Sequence, residues 1–228
     1  MHWSETAIII IAVVAVSLWI AISSAQRLDR LHRKVVSSRL ALDAQLLRRA
    51  HAAEELASSG VLDPASSVVL ADAAKAVNAS NDDGDTELVV AMPDLSELVI
   101  AHRLNSGNNT VSKIAVMQAL DGTLGGDREV SESALTAVVE SILDDADFTQ
   151  ELYSCPETEA YLNALSHAWY RVQLARRFHN ESVLQAQRVR SHPLVRFFRI
   201  AGRAPMPQTV EFDDAWPTGL RLVTVRSH

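Results

Sequence analysis

Hydrophobic positions follow two regimes along the chain. From Thr6 to Ala25 the sequence is apolar or small on every side (TAIIIIAVVAVSLWIAISSA), and no charge occurs between Glu5 and Arg27. As a helix these 20 residues span roughly 30 Å, the thickness of a bilayer core. Beyond Gln26 the period becomes 3.5. Leu28, Leu31, Val35, Leu42, Arg49 and Leu56 keep a 3-4 spacing, with Ser38, Gln45 and Ala52 between them. No Gly or Pro interrupts Gln26–Ser59, so the pattern predicts one long amphipathic helix continuing from the apolar segment and ended by Gly60.

Asp63-Pro64 predicts the cap and first turn of a second helix over 65–79. Residues 80–93 (SNDDGDTELVVAMP) read as an acidic loop, and short helices are expected over 95–104 and 111–120. A Gly/Asp-rich connection over 121–130 follows, then a helix over 134–152 with Leu135, Val138, Val139, Ile142 and Leu143 on one face. Ser154-Cys155-Pro156-Glu157 reads as a capping box opening a last long helix, 156–191. Within it Leu162, Leu165, Trp169, Val172, Arg176, His179, Val183 and Ala186 repeat the 3-4 alternation, and Pro193 stops it. Gly202, Pro205, Pro207 and Pro217 make the tail irregular, with strand alternation only at Leu220–Val225.

The expected fold class is therefore all-α: a single N-terminal transmembrane helix, then an antiparallel helical bundle with an irregular C-terminal tail. The boundaries are 1–25 for the anchor, 26–193 for the bundle and 194–228 for a basic, aromatic tail. A cleaved signal peptide is the competing reading, since Ser23-Ser24-Ala25 would pass as a cleavage site. However, MHWSE lacks the basic residues such a leader carries, which favours an uncleaved anchor. Arg27, Arg30, Arg33, Lys34 and Arg39 crowd the C-terminal flank, so the N-terminus is expected outside a plasma membrane and the rest in the cytoplasm. The lone Cys155 fits a reducing compartment.

Charge adds a direction. The 228 residues carry a net charge of −7. Most of the acid lies between residues 52 and 164, with basic blocks on both sides. If the two long helices are antiparallel, basic ends lie beside the bilayer and acidic ones far from it. Arg27, Arg30, Arg33, Lys34, Arg196, Phe197, Phe198, Arg199 and Arg203 are thus candidates for contact with anionic headgroups. In the alternative, the aromatic residues pack on the base of the bundle. The polar seam residues Gln45, Arg49, Arg176 and His179, with Asn180 beside them, either form a buried polar cluster that fixes register or drift to the surface.

A resemblance accompanies this pattern. Ala175-Arg176-Arg177-Phe178-His179-Asn180-Glu181-Ser182-Val183, the later Val210-Glu211-Phe212-Asp213-Asp214, and Arg27-Leu28-Asp29-Arg30-Leu31 with Leu46-Leu47-Arg48-Arg49 resemble the LemA family, in a divergent, actinobacterial-type form. Order and spacing match over about 26–60 and 155–214. The resemblance implies one membrane helix carrying a cytoplasmic antiparallel bundle, with no catalytic residue to transfer. Departures are Ala50-His51-Ala52-Ala53 in place of an Asp-Leu-Ile-Pro-like element, His179 in place of a frequent tyrosine, and 80–93 as an insertion.

The chain is not expected to be an enzyme. None of its eight histidines has Glu three residues before it, and Asp29-x-x-His32 stands alone. Gly122, Gly125 and Gly126 lack the Lys-Ser/Thr of a phosphate loop, and Cys155 has no histidine nearby in sequence. No metal or cofactor is expected, and the overall acidity argues against nucleic acid. The expected role is a membrane-tethered scaffold or interaction protein. Its partners would be the bilayer, an unidentified membrane or cytoplasmic protein, or a second copy of the chain. An accessory or sensor subunit, packing through Ala12, Ala15 and Ser17 in the bilayer, is the alternative.

Overall fold

The computed structural model describes residues 2–91, 124–191, 195 and 206–221. Among them all regular structure is helical. Helix α1 runs unbroken over His2–Ser58, 57 residues and about 85 Å. It stops at Gly60, whose φ of 74° is a left-handed conformation that costs other residues about 1 kcal/mol or more. Asp63 Oδ1 then accepts the amide hydrogens of Ala65 and Ser66 and starts α2, Pro64–Ala91. After this come α3, Gly126–Leu143, α4, Ala146–Ser154, and α5, Pro156–Arg190.

Helix α1 packs most extensively against α5 and next against α2, while α3 closes on α2 and α4 on α5. Cross-contacts fix the direction of the α1–α5 pair. Lys34 meets Gln185, Ser38 meets His179, and Arg49 lies over Trp169, so the two helices are antiparallel. Both 3-4 patterns become the seam. Leu28, Val35, Leu42, Arg49, Ala52 and Leu56 are buried on α1. Leu162, Leu165, Trp169, Val172, His179, Val183 and Ala186 are buried on α5. The apolar core is largest at the end away from the N-terminus, where Leu56, Leu70, Val77, Leu135, Leu143, Leu165 and Trp169 meet. It narrows to Val35, Val183 and Ala186 near the other end.

Several expectations are corrected. Residues 80–91 of the expected acidic loop belong to α2, whose backbone stays helical through Gly84. One glycine costs a helix only about 1 kcal/mol, and α2 is helical as far as Ala91, the last residue described there. The connection over 121–130 is already helical from Gly126. The helix expected over 134–152 is two helices, because Asp145 Oδ1 caps the amides of Asp147 and Phe148 and starts α4. Ser154 closes α4, its hydroxyl donating to Glu151 O, so Cys155 rather than a capping box precedes α5. Leu220 lies in a turn; the helices expected over 95–104 and 111–120, and residues 222–225, lie outside the described residues.

Among the described side chains between Ala7 and Arg27 none is buried in this core. Ile8, Ile11, Val14, Val16, Trp19 and Ile22 are each at least half exposed. Among the described residues no helix is long and apolar enough to cross a membrane. Eight side chains within Thr6–Ala25, including Ile9, Ile10, Val13 and Leu18, are not among those described.

At the far end of the chain Gly219 lies against α3. A Cβ there would stand 2.5 Å from Leu143 O and 2.6 Å from Leu143 Cβ. Gly219→Ala should therefore destabilise the fold by about 1–3 kcal/mol, as overpacking does. Urea unfolding checks this, and an unchanged midpoint would show that the 206–221 segment shifts freely.

Candidate functional site

The most chemically loaded region lies where α1, α3 and α5 meet. Arg49 of α1 is fully buried, and its Nη2 reaches Glu132 Oε2 of α3 at 2.7 Å and Glu132 O at 3.1 Å. Its Nη1 donates to Thr136 Oγ1 at 3.4 Å. The guanidinium plane sits 4.4 Å from the Trp169 ring and 5.7 Å from Phe212, an apolar environment that favours the weakly hydrated cation. A second layer continues the chain of charge. Arg128 Nη1 faces Asp43 Oδ1 at 3.0 Å as an ion pair without hydrogen-bond alignment, and Arg128 Nε lies 3.7 Å from Glu132 Oε1. Arg39 Nε lies 3.6 Å from Asp43 Oδ2. All five side chains are buried. Removing such charges from water costs several kcal/mol per ion, and their mutual pairing offsets it.

The tail is the second component. Residues 206–221 have no regular structure, yet they run back along α5 as an extended strap. Four α5 residues spaced seven apart hold its backbone: Gln187 donates to Pro207 O, Asn180 to Val210 O, Gln173 to Asp214 O and Ser166 to Arg221 O. Asn180 also accepts the Val210 amide at 2.9 Å, so its amide group satisfies both backbone groups of one residue. Trp169 Nε1 donates to Ala215 O, and Thr136 Oγ1 of α3 donates to Asp213 O. Arg176 closes the strap with a 2.6 Å bond to Asp214 Oδ1 and a guanidinium 5.5 Å from the Phe212 ring. Val210 and Phe212 point inward and join Leu42, Leu46, Leu124 and Val172 in one apolar cluster. Glu129 of α3 meets this strap at the Glu211 backbone, and burial raises its pKa above the ordinary carboxylate range.

The expected seam residues thus fall in different places. Arg49 is in the ion network, Arg176 and Asn180 hold the strap, and Gln45 is half-buried and accepts from Arg48. His179 is fully buried beside Ser38, with Nδ1 3.0 Å from Ser38 Oγ. The Ser38 hydroxyl hydrogen is committed to Val35 O, which assigns the hydrogen of this pair to His179 Nδ1. These residues lie along one seam rather than in one cluster, because 3-4 spacing spreads them over several turns.

Sequence reasoning missed Arg39, Asp43, Arg128 and Glu132. Their i, i+4 spacing is the usual mark of a solvated helix face. It named Asn180 but missed Ser166, Gln173 and Gln187 on the same polar stripe, whose seven-residue repeat was the available signal.

Among the candidates for membrane contact, Arg27, Arg30, Arg33 and Lys34 are exposed along α1, and Lys34 donates to Gln185. Arg196, Phe197, Phe198, Arg199 and Arg203 lie outside the described residues. Among the described residues no three His, Cys, Asp or Glu side chains converge as metal ligands. The carboxylates of the ion network face arginines and are closed off from water, so the network acts as a clasp between helices. No protein-family model matches this chain, and neither a curated protein nor a solved structure does.

Two outcomes test this arrangement. Arg49→Met or Glu132→Leu alone should cost about 3–5 kcal/mol, because each strands a buried charge, while the double variant should recover most of the loss. Chemical unfolding of all four proteins reads the coupling, and simple additivity would refute a paired network. Separately, Cys155 is exposed at the start of α5, where the Thr158 and Glu157 amides lower its thiol pKa. Alkylation of the unmodified chain should therefore reach half its limiting rate below the pH of about 8.5 typical of free cysteine.

Proposed function

We propose that the chain is a membrane-anchored helical scaffold, with residues 6–25 in the bilayer and the bundle held as an interaction module at the inner face. One observation carries this reading. The helix that forms half of the bundle seam continues into a segment whose apolar side chains are exposed, Ile11 at 68% and Trp19 at 72%. Exposed apolar surface of that extent needs a hydrocarbon surround, and a helix satisfies its own backbone there.

Charge supports the same placement. Arg27, Arg30 and Arg33 follow the apolar stretch on α1, and the antiparallel α5 brings Arg188 and Arg190 back toward the same end. Each such side chain beside an anionic leaflet is worth about 1 kcal/mol. Glu157 and Glu159 open α5 at the opposite end. The pairing of a first and a last long helix is also what the LemA resemblance implies. The alternative of an accessory or sensor subunit draws on Ala12 and Ala15, small residues exposed on the apolar stretch.

The expected outcome is that the full chain stays in the membrane pellet after alkaline carbonate extraction, and that removal of residues 6–25 releases it. Cys155, the single cysteine, reports the side. A membrane-impermeant maleimide should leave it unlabelled in intact cells and label it in inverted vesicles. Carbonate release of the full chain would refute the anchor, and labelling in intact cells would refute the orientation.

A further inference from the structure

A groove of about 220 Å³ opens on the surface between α1 and α5. Ser38, Ala41 and Gln45 line it from α1, and Leu174, Ala175 and Phe178 from α5. Leu174 is 40% exposed and Phe178 58%, so a large apolar rim faces outward. One residue is about 100° of helix turn, which puts Leu174 and Phe178 well round α5 from Gln173 and Asn180, the residues that hold the strap. The groove and the strap therefore occupy opposite flanks of the α1–α5 seam.

Charge around the groove has one dominant sign. Arg171 lines one end, Arg48 is bonded to the lining Gln45, and Lys34 and Arg177 are exposed on adjoining turns. Glu181 is the acidic residue on these turns of α5. An apolar slot with Arg171 in its lining, Arg48 bonded to a lining residue and further cations exposed on adjoining turns fits a segment with one large apolar side chain set among carboxylates. The chain already holds such a segment on the other flank, where Phe212 lies among Glu211, Asp213 and Asp214 and both Phe212 and Asp214 meet Arg176.

We propose that the α1–α5 groove is a docking site for an acidic segment of a partner protein, inserted through a single aromatic or large aliphatic side chain. This rests on the scaffold reading above and names the surface and the partner's chemistry. Lipid headgroups do not fit, because Ser38 lies 13 residues, about 20 Å of helix, beyond Ala25. A second copy fits poorly too. Two copies anchored in one membrane run parallel, and a two-fold pairing there sets Arg171 against Arg171 and Arg177 against Arg177.

The test uses the full chain in detergent micelles and a fluorescent peptide with one Phe flanked on both sides by Asp and Glu. Saturable binding is expected by anisotropy, with loss of binding when the Phe becomes Ala or the acids become Lys. Ala41→Trp, which fills the groove from an exposed position, and Arg171→Glu should each weaken binding at least about tenfold without moving the melting transition. Equal binding of the lysine peptide, or full binding by Ala41→Trp, overturns the proposal. Tighter binding by Asn180→Ala also overturns it, by placing the peptide in the strap's site, and so does Phe178-dependent cross-linking into dimers. Absence of saturable binding does the same, while carbonate extraction, which reads residues 6–25, still stands or falls separately.

Discussion

Three helices and the strap meet at the Arg49 guanidinium. It projects from α1, pairs with Glu132 on α3, lies against Trp169 on α5 and faces Phe212 of the strap. A lysine could not replace it. Its point charge is strongly hydrated and lacks the flat face that here stacks on an indole while the edge serves a carboxylate, a backbone carbonyl and a hydroxyl. With the cation out of water, the positions of three helices become interdependent. Moving α3 away would strand the cation in an apolar seam, so separation in any direction carries an electrostatic cost as well as a hydrophobic one. The Asp43–Arg128 pair extends the same dependence along α1.

The strap adds a different kind of constraint. Extended chain has no internal hydrogen bonds, so buried strap backbone needs outside partners. Helix α5 supplies them with side chains spaced seven apart, at 166, 173, 180 and 187. Seven residues of helix rise about 10.5 Å, close to three residues of extended chain, so successive rungs meet the strap at Pro207 and then Val210. Between Val210 and Arg221 the chain is longer than the helix requires, and Pro217 and Gly219 take up the slack in a turn against α3. Helix α5 thereby carries two parallel stripes, an apolar one for α1 and a polar one for the strap.

The apolar stripe was legible because burial follows periodicity directly. Every second member of the α1 pattern, from Leu28 through Leu42 to Leu56, is buried as its spacing implies. The ends of elements were less legible. Whether Asp145 breaks a helix or decorates one depends on tertiary packing, here the Thr149 hydroxyl bridging back to Leu143 O. The ion network was the least legible of all. Arg39–Asp43 and Arg128–Glu132 each have the spacing of a solvated surface pair, and only docking of α3 on α1 turns both inward. The tail appeared irregular for a sound reason, its prolines. Irregular dihedrals and fixed position are compatible, because the order lies in α5.

The core tapers along the bundle axis, and this orders its local stability. At the end bearing Leu56, Leu70, Leu165 and Trp169, all five helices contribute to one large cluster. Among the described residues, the cluster near Val35 holds Val183 and Ala186, with Leu31 half-buried beside them. Opening α5 from α1 at that end exposes less apolar surface, among the described residues, than opening the wide end, which exposes most of the core. Between the two lie Arg49 and the strap's Phe212, so an opening that starts at Val35 meets its largest barrier there. The Ser38–His179 pair sits on the narrow side of that barrier, a part-buried polar contact across the seam. Among the described residues, the packing that ties α1 to its neighbours is therefore densest from Arg49 onward.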